Sequence, residues 1–294
     1  MDIVFNINPL GLEGLGTTLI SLVRSCSKTD ELNLHFLCSE LNVDDKSNIT
    51  TLLKSENYKG HTAFIDFDAK KTFGHLRSLH GDWTPYGRLL IPEIIKGDRA
   101  LYLDADLIIG ADILSLKDFD FDGHLLGAVY GCAVTNTLDS QFLIKNLGWT
   151  SDTGYFNSGV VLFNLKKWRA DDADSKWKTI AGKYSDELIS HDQTLLNGLC
   201  RGHFAHLPDT FNLPWYSHKE KPENAERGIL HFVGSPKPWD WGGKYIHKGF
   251  DEWSALNSPF WKKQYGKITT EKMWRTWKIR RSLAKGIKKK ALSS

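Results

Sequence analysis

Two aspartates one residue apart, Asp104 and Asp106, interrupt the apolar run Ala100-Leu101-Tyr102-Leu103-Asp104-Ala105-Asp106-Leu107-Ile108-Ile109. Burying two carboxylates is costly unless a cation neutralises them. In an extended chain residues i and i+2 point the same way. Both could therefore ligate one hard divalent cation, Mg²⁺ or Mn²⁺, leaving positions for water and substrate phosphates. An isolated Asp-x-Asp can equally be a strand ending in a solvated turn. Other residues bear on the choice. His231, within the apolar stretch 229–233, is either a neutral core histidine or a nitrogen ligand to the same cation. Lys237 lies between prolines in Gly234-Ser235-Pro236-Lys237-Pro238-Trp239, a preset cation suited to a phosphate. Arg88 offers a bidentate fork to the carboxylates or to a diphosphate, or is a solvated helix residue. Asp192, in His191-Asp192-Gln193, could simply cap a helix.

The elements that must position these groups read as alternating strands and helices. The run at 100–109 is apolar on both sides, as in a strand buried on both faces of a largely parallel sheet. Its aspartates then fall at the carboxyl end, where open α/β sheets bind ligands. Residues 2–8, 32–38 and 61–67 read as strands, and 44–55 as a helix capped by Asp44. Residues 85–96 read as a helix with Pro85 at its start, and 125–134 as a further strand. Gly11, Gly14 and Gly16 follow the first strand but do not make a Gly-x-Gly-x-x-Gly, so no dinucleotide site is assigned. Gly159, in the β-branched run 156–165, signals a close approach to the backbone. Alternation of this kind predicts an α/β domain.

The 294 residues suffice for one large α/β domain or two small ones. Eleven tryptophans exceed what a core needs, and flat rings suit sugars or membrane interfaces. The four cysteines show no paired spacing, which predicts free thiols in a reducing compartment. With no charged-then-apolar leader and no bilayer-length apolar segment, a cytoplasmic protein is expected, peripheral on the cytoplasmic face of a membrane if attached at all.

Four stretches together resemble family 8 of the retaining glycosyltransferases, which includes glycogenin and bacterial lipopolysaccharide galactosyl- and glucosyltransferases. They are Leu101-Tyr102-Leu103-Asp104-Ala105-Asp106, Phe156-Asn157-Ser158-Gly159-Val160, His191-Asp192-Gln193-Thr194-Leu195-Leu196-Asn197 and His231-Phe232-Val233-Gly234-Ser235-Pro236-Lys237-Pro238-Trp239. The resemblance implies a GT-A fold, a Rossmann-like mixed sheet flanked by helices, over residues 1–261. It also implies transfer of a hexose, glucose or galactose, from a UDP-sugar to a saccharide or glycolipid acceptor, in surface polysaccharide or lipopolysaccharide synthesis. By the family pattern Asp104, Asp106 and His231 would bind Mn²⁺, with Mg²⁺ as the substitute. Gly234 and Lys237 would meet the diphosphate, with Ala105 and Arg88 beside them. Asn157, Asp192 and Gln193 would line the donor sugar as the catalytic group. The first strand departs from the family's Ala-x-Asp-x-x-Tyr-like segment. It reads Asn6-Ile7-Asn8-Pro9-Leu10, so Asn6 and Asn8 would stand in as hydrogen-bond partners of the nucleoside.

A metal phosphoesterase is the rival enzyme, but it would normally need further carboxylates for a second cation. A non-catalytic nucleotide-sugar or nucleic-acid binder is the rival of another class. Residues 262–294 carry twelve Lys/Arg and one acid, Glu271, on an otherwise acidic chain. Ile279, Leu283 and Ile287 recur at i+4 among these cations, with Trp274 and Trp277 alongside. This predicts a basic amphipathic helix that docks on an anionic membrane surface rather than on nucleic acid, separable from the catalytic body.

Overall fold

The computed structural model describes residues 1–293, with side chains through residue 288. Ten strands form in chain order: β1 (Asp2–Ile7), β2 (Asn33–Cys38), β3 (His61–Asp66), β4 (Arg99–Leu103), β5 (Leu107–Ile109), β6 (Leu126–Ala133), β7 (Gly154–Asn164), β8 (Ala205–His206), β9 (Leu213–Pro214) and β10 (Ile229–His231). Seven make one sheet in the order β3-β2-β1-β4-β7-β6-β8, and β5-β10-β9 make a second. Strands β3, β2, β1 and β4 run parallel, whereas β7 is antiparallel to both β4 and β6. Side chains alternate across the large sheet as a period of two requires. Ile3, Phe5, Leu101, Leu103, Val160 and Leu162 enter one core, and Val4, Ala100, Tyr102, Val161 and Phe163 enter the other. Both faces are therefore covered, as the apolar runs predict.

The run at 100–109 is not one strand. It breaks at Asp104-Ala105-Asp106, and β5 leaves for the second sheet. Asp104 N still donates to Gly159 O of β7 at 2.8 Å, while Asp106 O accepts from Phe232 N just after β10 at 3.1 Å. The other edge of β5 is satisfied by helix Leu12–Ser25, whose Thr18 and Ser21 hydroxyls accept from Leu107 N and Ile109 N. The Asp-x-Asp segment is thus a hinge pinned to two sheets, the only place on this run where carboxylates escape the core.

Other expectations shift by a turn. Helix Val43–Ser55 is capped by Asn42, not Asp44: Asn42 Oδ1 accepts from Asp45 N and Asp45 Oδ2 accepts from Asn42 N, a reciprocal pair that Asp44 cannot make. Residues 85–96 are a 3₁₀ segment Thr84–Leu90 followed by the short helix Ile91–Ile94. Pro92 lacks the N–H that a continuous α-helix would need there. Gly16 serves packing rather than phosphate binding, since a Cβ there would lie 2.2 Å from the Trp261 ring. Most tryptophans are core residues, and the exposed ones, Trp241, Trp274 and Trp277, lie in or near the C-terminal segment. The four cysteines are free, with Cys38 and Cys200 buried.

A third core gathers Trp215, Phe232 and Trp253 beneath the second sheet. His247 packs edge-on against Trp215 and Phe232 and accepts from Gly249 N at Nδ1. Burial, helped by the nearby Lys237 charge against Asp240, lowers its pKa from 6.5 to about 4. The unfolded chain then takes up a proton below pH 6.5 that the folded protein refuses until about pH 4. Stability should therefore fall as pH drops through that window, by up to about 3 kcal/mol. His247→Phe should flatten that part of a melting-temperature profile; an unchanged slope would exonerate His247.

The tail folds onto the body. Helix Pro259–Tyr265 crosses the boundary at residue 262, burying Trp261 against the first helix and hydrogen-bonding Asp45 through Tyr265. Helices Thr270–Lys278 and Arg280–Ser293 follow, separated at Ile279. Lys272 pairs with the buried Glu13 at 2.5 Å, and Arg275 with the buried Asp240 at 2.7 Å. These pairs tie the tail to two buried carboxylates of the body. Hydropathy reports the apolar stripe but not which cations have acidic partners.

Candidate active site

Between the carboxyl ends of β1 and β4, the start of helix Asp192–Cys200 and the loop after β10 lies a cleft of about 410 Å³. Every residue expected at the site lines it: Asn6, Asn8, Arg88, Asp104, Ala105, Asp106, Asn157, Asp192, Gln193, His231, Gly234 and Lys237.

Asp104, Asp106 and His231 present ligand atoms within 4.8 Å of one another, the one such His/Cys/Asp/Glu group among the described residues. His231 Nε2 lies 3.2 Å from Asp106 Oδ1 and 3.7 Å from Asp104 Oδ2. Its Nδ1 is 2.9 Å from Asn212 Oδ1. Asn212 Nδ2 donates to Asn157 Oδ1, so the amide oxygen faces the ring. His231 Nδ1 then carries the proton, and Nε2 keeps its lone pair for a metal, the usual outer support of a ligating histidine. Two carboxylates and an imidazole, with Asp106 Oδ1 buried and otherwise unpartnered, form a donor set that fits a divalent ion. Gly159 faces this cluster: a Cβ would come within 2.3 Å of the His231 ring and 2.8 Å of Asp104 Oδ2. The close approach expected of this glycine is to the candidate metal ligands themselves.

Lys237 Nζ pairs with Asp106 Oδ2 at 2.5 Å and also donates to Phe232 O. Burial alone would raise the Asp106 pKa, but the Lys237 charge prevails and holds it below the ordinary carboxylate range. Arg88 is fully buried and sits 4.1 Å over the Tyr102 ring. It bridges two carboxylates, Asp104 Oδ1 and Asp192 Oδ2, each at 3.0 Å. Its Nη1 donates to the oxygen atoms of Ser158. Arg88 is therefore no solvated helix residue: it forks onto the carboxylates, as one of its readings expects.

Asp192 is the first helical residue, not the cap, and its carboxylate accepts from Arg88 and Ser158 Oγ. Burial raises its pKa, opposed by Arg88 and aided by Asp104. Gln193 Oε1 accepts from Asn157 Nδ2 and Ser158 N, while its Nε2 donates to Tyr155 OH. Tyr155 in turn is held by Asp139, a fully buried carboxylate that also takes Thr194 Oγ1. At the nucleoside end, Asn8 Oδ1 caps Gly11 N and its Nδ2 donates to Asp82 and Thr84. Asn6 Nδ2 donates to Thr84 O, leaving its Oδ1 buried without a partner.

Sequence reading missed Asn212, Tyr102, Ser158, Asp139, Asp82 and Arg275. Only Ser158 and Tyr102 lay inside a recognised stretch. The others sit in loops or the tail, with no periodicity to mark them.

A mixed α/β sheet carrying a carboxylate–histidine group that fits a divalent ion, with a lysine beside it, suits chemistry on a phosphate or diphosphate. Residues 2–242 match the family described as Glycosyl transferase family 8, and the chain belongs to it. It is a hexosyltransferase of the GT-A fold. It is 25% identical over 271 residues to general stress protein A of Bacillus subtilis, spanning 83% of this chain and 92% of that protein. It is 26% identical over 273 residues to the lipopolysaccharide 1,3-galactosyltransferase of Salmonella typhimurium, spanning 88% of this chain and 79% of that one. The crystal structure of the galactosyltransferase LgtC with donor and acceptor sugar analogues superposes with a TM-score of 0.72 at 26% identity, covering 94% of this chain and 99% of that one. Among the described residues no helix is long and apolar enough to cross a membrane.

Proposed function

We propose that the protein transfers glucose or galactose from a UDP-sugar, with retention of configuration, to a saccharide or glycolipid acceptor of surface polysaccharide or lipopolysaccharide synthesis. Asp104, Asp106 and His231 would hold Mn²⁺, with Mg²⁺ as the alternative. The observation that carries this reading is the Asn212-oriented His231 beside both aspartates, one side chain away from Lys237. When bound, the ion would offset the negative charge that grows on the departing diphosphate. Lys237 adds a second cation at the same wall, so no strongly activated protein acid is required. Asp192 and Gln193 would orient the hexose hydroxyls. Gln193 has both amide atoms engaged, and Asp192 is ion-paired to Arg88, so neither is a free nucleophile. This favours return of the acceptor on the face the diphosphate leaves over a glycosyl-enzyme intermediate of the hydrolase kind. Among the described residues one group of three candidate ligands forms, without the further carboxylates in it that a two-cation phosphoesterase would need. A screen of nucleotide sugars for Mn²⁺-dependent release of UDP tests the assignment. Cleavage of simple phosphate esters without sugar release would overturn it.

The same reading makes residues 262–294 a membrane-docking segment, with the protein peripheral on the cytoplasmic face. Met273, Trp274, Trp277 and Ile287 are exposed beside Ile268 and Trp241. Lys272, Arg275 and Lys278 are engaged by the body, which leaves the exposed Arg280, Arg281, Lys285 and Lys288 for lipid headgroups. Each contributes about 1 kcal/mol near an anionic leaflet, and tryptophans suit the interface. Full-length protein should bind phosphatidylglycerol vesicles at low salt, and replacing Arg280, Arg281, Lys285 and Lys288 with glutamine should release it. Failure of the intact chain to sediment with such vesicles would remove this role.

A further inference from the structure

The tail reaches the donor cleft as well as the surface. Arg275, on helix Thr270–Lys278, lines the cleft together with Lys237 and Trp239. Its guanidinium forks onto one carboxylate, Nε to Asp240 Oδ1 at 2.7 Å and Nη2 to Oδ2 at 3.2 Å. Asp240 Oδ2 also accepts from Lys237 N at 2.7 Å, and Asp240 N donates back to Lys237 O. The Asp240 side chain is only 4% exposed. Three residues away in this tight turn, Lys237 Nζ reaches Asp106. A line of contacts therefore runs Arg275–Asp240–Lys237–Asp106, through the Lys237 backbone N–H on one side and its ammonium on the other, from the tail to the candidate metal ligands. One turn further along the same helix, Lys278 Nζ donates to His80 O at 3.0 Å. His80 belongs to the tight turn that sets Leu79 and Asp82 on the opposite wall of the cleft. The helix thus ties together the two loops that flank the nucleotide end of the site.

The electrostatics give Arg275 a purpose. A diphosphate brings negative charge to a wall that already holds the Asp240 carboxylate. Unpaired, that carboxylate would repel the diphosphate and offer Lys237 a competing partner. Paired bidentately to Arg275, it is neutralised while still holding the Lys237 backbone.

We propose that Arg275 is a positioning residue for the donor diphosphate, acting through Asp240 to neutralise the cleft wall and fix the Lys237 turn. This rests on the UDP-sugar reading above, and its test separates the two. UDP binding with Mn²⁺ is measured by calorimetry, and donor KM and kcat by UDP release, on the full chain carrying R275A, R275K, D240N or D240N together with R275A. Melting curves without nucleotide provide the folding control. R275A should weaken UDP binding and raise donor KM about tenfold, the worth of hydrogen bonds to a charged group, with kcat changed much less. R275K, which keeps the charge but loses the fork, should fall between R275A and wild type. Asn at 240 can still accept from Lys237 N through its amide oxygen but carries no charge. Adding D240N to R275A should therefore restore binding to within about threefold of D240N alone. If R275A binds UDP as wild type does, the inference fails. If the double variant stays as weak as R275A, Arg275 only packs the tail, and the inference again fails. Wild type that binds no UDP in Mn²⁺ overturns the donor reading itself, and this inference with it.

Discussion

Asp106→Asn should lower metal-dependent turnover by about a thousandfold, the scale seen when a group that stabilises transition-state charge is removed. Asp106 is the residue on which the site converges: His231 Nε2 lies against one of its oxygens and Lys237 Nζ against the other. Asparagine preserves the volume but removes the charge that attracts a divalent ion. Its amide oxygen can still accept from Lys237 Nζ, but the ion pair is lost. The melting temperature should change little without metal, because the hinge is held by backbone bonds to Gly159 and Phe232 that the substitution leaves in place. Wild type in excess chelator should fall to the level of the variant. Turnover undiminished by chelator would remove the metal from the mechanism.

Asp192→Ala should cost turnover about as much while UDP affinity stays within about threefold, because its partners are Arg88 and Ser158 at the sugar end of the cleft. The carboxylate is buried and positioned from two sides, which suits orientation of a hydroxyl rather than nucleotide capture. Asp192→Asn, which retains an acceptor for Ser158 Oγ, should recover part of the loss. NMR of the wild-type product should show the donor's α configuration kept. A β-linked product, or a variant that loses nucleotide affinity in step with turnover, would strip Asp192 of this role.

Much of this site was legible in the chain. Asp104, Asp106, His231 and Lys237 are chemically unusual for their surroundings: charges or donors set among buried apolar residues or between prolines. Such placements survive selection for folding only where something offsets their cost. The four motif stretches announced the cleft through their resemblance, in order, to one family. The sheet's alternation was readable for the same reason, since side chains on β1, β4 and β7 must pack on both faces. The first-strand asparagines were legible as members of the site but not in their bonding. Asn8 spends its amide on Gly11, Asp82 and Thr84, partners up to 76 positions away.

The sequence by itself determined which residues could carry chemistry and which strands and helices lie next to them, because local periodicity and the cost of burying charge both act within a few residues. Only the tertiary structure decided how those residues are held. Asn212 sets the proton on His231. Asp139, through Tyr155, steadies Gln193. The break after Leu103 sends one half of an apparently continuous strand into another sheet. The tail's partners were hidden for the same reason: its cations look interchangeable along the helix, yet Lys272 and Arg275 face Glu13 and Asp240, 259 and 35 positions away. Ion pairing depends on distance in space, and no local pattern encodes which acid a folded chain brings within 3 Å of an arginine.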